Sequence, residues 1–298
     1  SGTNDAIWAY WGNAADVTSP DYSTNGAVWL PPAFQSLPSF DTVYHLEQSG
    51  FPYFDSTMQY PATNGVALLP GTGIVGAAGS FANSQYLDAG SVNLSNAFTL
   101  SAWINVSSTV NNIQGIWGNG PGGYTSAHVV FYVNDYNTGD GALILGTGNG
   151  TAGTQWGTAP GAVSFGQWHL VTAVVDRADS TAQLYVDGSL QASGTIRNDF
   201  PTNTDMNLGR FNDGSFTFNG LMDESRIRSG FSSSNWVWAS YMTVAQNASF
   251  ANYSNVVTTV ATPPSPVTIQ VEFSGGSLNL NGTGGPAGAT YYVVGSTN

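Results

Sequence analysis

Glutamate is scarce in this 298-residue chain: Glu47, Glu224 and Glu272 are the only three. Hydrolysis of a glycosidic bond asks for two carboxyl groups across the sugar, one kept protonated as acid and one ionised as base or nucleophile. Glu272 lies near the C-terminal end, so Glu47 and Glu224 form the candidate pair, with Asp223 as a further candidate. Strand alternation puts His45 on the face of Glu47, and Arg226 on the face of Glu224. The same residues therefore also suit an ion-pair ladder across two strands. Asp223 alternates with Leu221 and Ile227 and is expected to point inward, where a carboxylate needs a metal or donated hydrogen bonds.

A second chemistry is carried by aromatic residues in glycine-rich stretches. GIWGNGPGGYTSAH (115–128) and GTGNGTAGTQWGTAPG (146–161) hold Trp117, Asn119, Tyr124 and Trp156. Aromatic faces beside polar groups are the makings of a small-ligand pocket. Trp117 and Trp156 are the expected stacking platforms for a sugar ring, with Asn119, Tyr124 and Asp135 reading its hydroxyls. Trp103 and Trp168 are expected in the core, and Trp236 and Trp238 are expected to pin a helix. His45, His128 and His169 show no transition-metal spacing, and His169 reads as structural. There is no G-x-S-x-G elbow, and no Ser/His/Asp set has a recognisable local context.

Composition narrows the classes. Eighteen acidic residues face five arginines and no lysine, for a formal charge of −13. Nucleic-acid binding needs cations to displace counterions from phosphates, and an anionic membrane surface would repel this chain. No run approaches the ~20 apolar residues of a membrane helix. Without cysteine there is no disulfide, thiolate metal site or cysteine nucleophile. Such a Ser/Thr/Asn/Gly-rich acidic chain reads as a bacterial protein, secreted or at the cell surface. Starting at Ser1 without a signal peptide, it reads as a mature or excised fragment.

The elements that must position these residues are short alternating runs broken by Gly, Asn, Asp and Pro. In AFTLSAWINV (97–106), Phe98, Leu100, Ala102 and Ile104 share one face. HVVFYVND, GALILG, HLVTAVVDR, AQLYVDG, SLQASGTI, MNLGRF and FTFNGLMDESRIR continue an antiparallel meander, with Asp187-Gly188 as a tight turn. SSSNWVWASYMTVAQN (232–247) reads as a short helix behind a serine cap, and 249–260 as a return to strand. The expected organisation is an N-terminal remnant of a preceding β domain (1–39), a β-sandwich (40–260), a proline-rich linker (261–266) and a truncated β module (267–298).

In order along the chain come TVYHLEQSGFPYFDST (42–57), SQYLDAGS (84–91), FTLSAWINV (98–106), GQWHLVTAVVDRADSTAQLYVDG (166–188) and FNGLMDESRIRSG (218–230). Together they resemble the laminin-G-like branch of the concanavalin-A-like lectin/glucanase sandwiches, over roughly residues 40–248. AIWAYWGNAADVTSPD (6–21) is similar to the tail of an uncharacterised domain that often precedes such modules in bacterial surface proteins. The resemblance implies an all-β fold, a two-sheet antiparallel jelly roll with one short C-terminal helix and partial flanking β segments. It implies that the first and last strands of the domain pair, which would bring Glu47 towards Glu224. The E-x-D-x-x-E spacing of the glucanase relatives is absent. In related sandwiches a calcium ion clips the loop after the first strand to the penultimate strand, and the matching positions are Asp55 and Asp223. Fold alone does not set function. The reading is a non-catalytic glycan-binding module for a neutral polysaccharide, with other domains of the parent chain as neighbours. A glycoside hydrolase and a structural or adhesive spacer are the alternatives.

Overall fold

Alternating apolar residues need two covered faces, and the computed structural model supplies them with two antiparallel sheets. It describes residues 40–82, 84–122 and 128–250, together with the strand backbone of 268–274 and 277–283. The eight-stranded sheet runs β13 (Ser189–Thr195), β12 (Thr181–Val186), β11 (Trp168–Asp176), β6 (Ala97–Val106), β15 (Gly220–Ser229), β4 (Ala77–Phe81), β3 (Leu69–Thr72). Its eighth strand, β1 (Phe40–Tyr44), also pairs with β15. The seven-stranded sheet runs β10 (Gly153–Gly157), β9 (Leu143–Gly148), β8 (Val129–Val133), β7 (Gln114–Gly118), β14 (Asn203–Leu208), β5 (Tyr86–Asn93), β2 (Asn64–Val66). This is the two-sheet sandwich that alternation and the resemblance implied.

Phe98, Leu100, Ala102 and Ile104 of β6 enter one core with Val171, Ala173 and Val175 of β11, Phe131 of β8, and Leu143 and Leu145 of β9. The other face of β6 is also covered. Helix α1 (Ser234–Ala245) lies over the outer face of the eight-stranded sheet, where Val237 and Trp236 pack on Val174 and Tyr185. There Tyr241 stacks on Trp103 at a ring separation of 5.8 Å. The Ser233 hydroxyl accepts from the Trp236 N–H and satisfies one of the orphan donors that start every helix. Trp103 is thus buried beneath the helix and not between the sheets. Trp238 does not pin the helix, being 47% exposed and set edge-on to Phe250. Residues 247–250 form a further helical turn, α2 (Asn247–Phe250), so the expected return to strand does not begin at 249.

The outer face of the seven-stranded sheet is closed as well. Val130 and Tyr132 of β8 and Ile144 of β9 face away from the main core and are buried with Ile113 and Phe211 in a second cluster, with Phe216 packed on it. Residues 209–218 supply that cover. A Cβ on Gly115 would lie 2.6 Å from the Phe216 carbonyl oxygen, and one on Gly118 would lie 3.1 Å from that of Arg210. Those glycines let the loop touch the sheet backbone.

The chain forms two compact units, Ser1–Ala251 and Asn252–Asn298. In the second, β16 (Thr268–Ser274) and β17 (Ser277–Thr283) form an antiparallel hairpin with Thr268 opposite Thr283. The expected remnant (1–39) and linker (261–266) lie outside the described residues.

Candidate functional site

The carboxylates meet where β15 changes neighbours. Its residues Gly220–Met222 pair with β4 and Ser225–Arg228 with β1. Against β6, Asp223 pairs with Trp103 but the next pair is Arg226 with Ser101, so one extra residue is inserted. Glu224 occupies the bulge with φ of 50°. Bulges of this kind re-aim side chains. Ile227 consequently returns to the core opposite Leu100, whereas Asp223 shares the outer face of Trp103. This corrects the inward orientation expected from plain alternation.

Asp223 is nonetheless fully buried, because the turn between β3 and β4 folds over it. The Ile74 and Val75 N–H groups donate to Asp223 Oδ2 at 3.0 and 2.9 Å. Its Oδ1 has no hydrogen-bond partner among the described residues. Burial, with the neighbouring charge of Glu224 adding to it, raises the Asp223 carboxyl to about 6 despite those two amides. The Glu47 carboxylate lies against Gly76 of the same turn. The next residue, Gln48, also has a buried side-chain oxygen without a partner among the described residues.

Glu224 binds His45 Nδ1 at 2.5 Å through one oxygen and Arg226 through the other. Burial alone would raise this carboxyl, but the His45 hydrogen bond and the Arg226 charge outweigh it and hold the group at about 2. Held low between His45 and Arg226, the Glu224 carboxyl suits an ion pair and not a proton donor near neutrality. Asp223 has the raised pKa of an acid but no exposure through which to reach a substrate. His45, Glu224 and Arg226 thus form the ion-pair ladder that these residues were also expected to suit.

Asp55 serves its own loop. Its two oxygens accept from the N–H groups of Val43, Thr57, Gln59 and Tyr60 at 2.7–3.1 Å, and from the Thr57 hydroxyl at 2.5 Å. A carboxylate offers about four lone-pair sites; the four N–H groups match them, and the one Thr57 hydroxyl hydrogen is shared with the Asp41 carbonyl at 2.9 Å, so Asp55 is satisfied without a metal. The expected role of Asp55 as a calcium ligand is corrected accordingly, to that of a clamp joining β1 to residues 55–60.

The expected stacking platforms separate. Trp117 is fully buried in the main core, 6.3 Å from the Tyr44 ring, and cannot meet a ligand. Asn119 is buried, and its side-chain oxygen accepts from the Val129 N–H at 2.7 Å, which fixes the end of β8. Asp135 is exposed at the β8–β9 turn, where it accepts from the Tyr136 N–H. Tyr124 lies outside the described residues.

Trp156 alone of the platforms borders open space. The free edges of the two sheets, β10 and β13, flank a groove of ≈ 670 Å³ lined by Gly153–Gly157 and Ser193–Thr195. Trp156 pairs with Leu145, packs on the margin of the core, and donates from Nε1 to the Thr195 carbonyl at 2.8 Å. Its ring lies so close to Gly194 that a Cβ there would come within 2.6 Å of it. Thr154, Gln155, Ser193 and Thr195 supply the polar lining, and none was singled out from the sequence. The readable signal was that GTQWG and SLQASGT are edge strands without a single charge.

A family model described as the concanavalin A-like lectin/glucanases superfamily, of laminin-G type, matches residues 81–238, just over half of the chain. No curated protein matches the sequence. Among solved structures, domain 4 of AbnA, a GH43 extracellular arabinanase from Geobacillus stearothermophilus in complex with arabinotriose, is 21% identical with a TM-score of 0.50. That match covers 67% of this chain and 97% of that one. The binding domain of botulinum neurotoxin serotype G is 16% identical with a TM-score of 0.53, over 70% of this chain and 52% of the other. The binding domain of Paraclostridial Mosquitocidal Protein 1 is 12% identical with a TM-score of 0.52, over 81% and 63%. At such identities the likeness is one of fold. Residue order, sheet order and the family match agree, and the chain belongs to the concanavalin A-like lectin/glucanase superfamily.

Proposed function

We propose that the sandwich is a glycan-binding module of a secreted or surface protein, non-catalytic towards the glycan it holds, and that a neutral polysaccharide lies in the groove between β10 and β13. The observation that carries this is the lining of that groove: one indole and four hydroxyl or amide side chains, with no ionisable group. A neutral polyol suits such a lining, and a formal charge of −13 disfavours polyanions. The test is depletion of the protein by insoluble or immobilised cellulose, xylan, β-1,3-glucan, mannan, arabinan and chitin, with released sugars followed by mass spectrometry. At least one polymer is expected to deplete the wild type without products, and Gln155→Ala with Ser193→Ala is expected to weaken that binding about tenfold. Depletion by none of them, or equal depletion of wild type and variant, would sink the groove assignment. Released oligosaccharides would sink the non-catalytic reading.

We also propose a structural calcium at the turn of residues 73–76. The fit rests on Asp223 Oδ1, a buried acceptor lacking any partner among the described residues. Calcium takes six to eight oxygens, and Asp223 with Glu47 would supply the charged ones. Binding to the folded state alone raises the melting temperature with ion concentration. Calcium is expected to raise it and Asp223→Asn to abolish the rise, while an unchanged melting curve in EDTA would remove the site.

A further inference from the structure

The loop before β11 and the turn after β12 meet at one end of the eight-stranded sheet. Val171 pairs with Val186, so His169, two residues earlier, and Asp187, one residue later, come side by side. The Leu170 N–H donates to Asp187 Oδ1 at 3.0 Å and the Asp187 N–H to the Leu170 carbonyl at 2.9 Å, fixing the carboxylate. Its other oxygen, Oδ2, lies 2.8 Å from His169 Nδ1. A carboxylate only accepts, so Nδ1 carries a hydrogen, and in the neutral ring Nε2 is then the acceptor. Ser164 Oγ is 2.7 Å from Nε2, placed to donate to it in that tautomer.

That is the polarity of an activated serine: a carboxylate orients an imidazole, and the imidazole takes the hydroxyl proton. Ser164 is exposed, as a nucleophile must be. The N–H groups of Ser164 and Phe165 have no hydrogen-bond partner among the described residues. The N–H of the residue after the nucleophile is a usual oxyanion donor. Gly166, at φ of 74°, leaves nothing within 4 Å of where its Cβ would be, so the space beside the serine is open. Residues 162–166 read A-V-S-F-G, with serine two places before glycine as in G-x-S-x-G. The sheet end, not a strand-to-helix elbow, does the positioning.

We propose that Ser164, His169 and Asp187 form an acyl-transfer site that hydrolyses short-acyl esters of neutral alcohols. Ser164 Oγ attacks the ester carbonyl carbon while its proton passes to His169 Nε2. The C–O bond to the alcohol then breaks, and the alcohol leaves with that proton. Water then gives a proton to Nε2 and its oxygen to the acyl carbon; the bond from that carbon to Ser164 Oγ breaks, the Nε2 proton returns to Oγ, and the carboxylic acid leaves. The open surroundings suit a small acyl group, and the acidic chain disfavours anionic esters.

The full chain is assayed with p-nitrophenyl acetate, and separately incubated with a fluorophosphonate and weighed intact. The wild type is expected to hydrolyse the ester above buffer and to gain a single adduct at Ser164. Ser164→Ala and His169→Gln are each expected to lose at least about 100-fold of the protein-dependent rate. Asp187→Asn is the sharper probe: asparagine tolerates the left-handed φ of 52° at this turn, so the fold is kept, but its amide favours the wrong imidazole tautomer. It is expected to lose rate with an unchanged melting curve, whereas a merely structural triad would leave every rate alike. No adduct, or a Ser164→Ala rate equal to wild type, overturns the proposal. Polysaccharide depletion is expected to be the same in Ser164→Ala as in wild type, so this site and the groove fail or stand separately.

Discussion

Trp117→Ala is expected to lower the free energy of unfolding by about 3–5 kcal/mol, the cost of emptying a large aromatic site in a packed core. Trp117 is the largest of the fully buried side chains, and it closes the space between β7 and Tyr44 of β1. The Tyr44 hydroxyl in turn donates to the Tyr60 carbonyl, so the cavity would open beside the clamp made by Asp55. Trp117→Phe separates packing from polarity. The indole Nε1 has no hydrogen-bond partner among the described residues, so phenylalanine forfeits volume but no bond, and about 1–2 kcal/mol is expected. Urea denaturation with intrinsic fluorescence measures both. A loss under about 1 kcal/mol for the alanine variant would return Trp117 to the surface and to ligand binding.

The misplacement of Trp117 shows where sequence reading stops. Alternation in residues 97–106 identified the face of β6 that enters the core between the sheets, because successive side chains of a strand point to opposite faces. The serine cap and apolar spacing of 232–247 likewise marked α1. Glycine misled. In GIWGNG it reads as loop, yet Gly115 and Gly118 sit in β7 and are small because residues 209–218 press on the sheet there. A glycine required by the approach of another segment is indistinguishable, in one sequence, from a glycine required by a turn. Trp156 in GTQWG was read the same way, and is an edge-strand residue that ties the two sheets.

The second difficulty is register. Plain alternation from Leu221 to Ile227 gives both the same face, and one inserted residue at Glu224 reverses half of the strand. Leu221 pairs with Asn105 on the outer face, and Ile227 pairs with Leu100 on the core face. Nothing in LMDESRI announces a bulge, since Glu224 is not glycine and one of the two residues that hold its carboxylate, His45, lies far away in the sequence. The carboxylates could be named from the sequence. Their division into a buried ion pair and a buried, half-satisfied aspartate needed the strands in place. The same applies to Ser164, whose relation to His169 appears only once the β12–β13 turn brings Asp187 alongside.

That division predicts an acid-leaning stability profile. Glu224 is held at about 2 in the folded protein against an ordinary 4.5. A depressed carboxylate contributes stability that is complete above 4.5 and is lost as pH falls towards 2, here about 3 kcal/mol. Asp223 and Asp41 behave oppositely. Burial raises each from 3.8 to about 6, at Asp41 against the opposing Ser229 hydroxyl. Their stabilising effect is complete below 3.8 and is lost as pH rises through 6. His45 adds to the same limb: burial lowers its pKa, but Glu224 outweighs burial and the pKa ends raised, so its contribution also fades as pH climbs past that value. Stability is therefore expected to peak near pH 4 and to fall on both sides. Glu224→Gln should erase the acid limb and, by leaving Arg226 half-buried without its partner, cost about 3 kcal/mol at pH 5. Asp223→Asn retains an acceptor for the Ile74 and Val75 amides and discards the buried charge. In EDTA it should raise the melting temperature at pH 8 and leave it nearly unchanged at pH 3.5. A profile of Glu224→Gln parallel to wild type below pH 4.5 would show that the ladder does not hold the carboxylate down, and would reopen Glu224 as an acid.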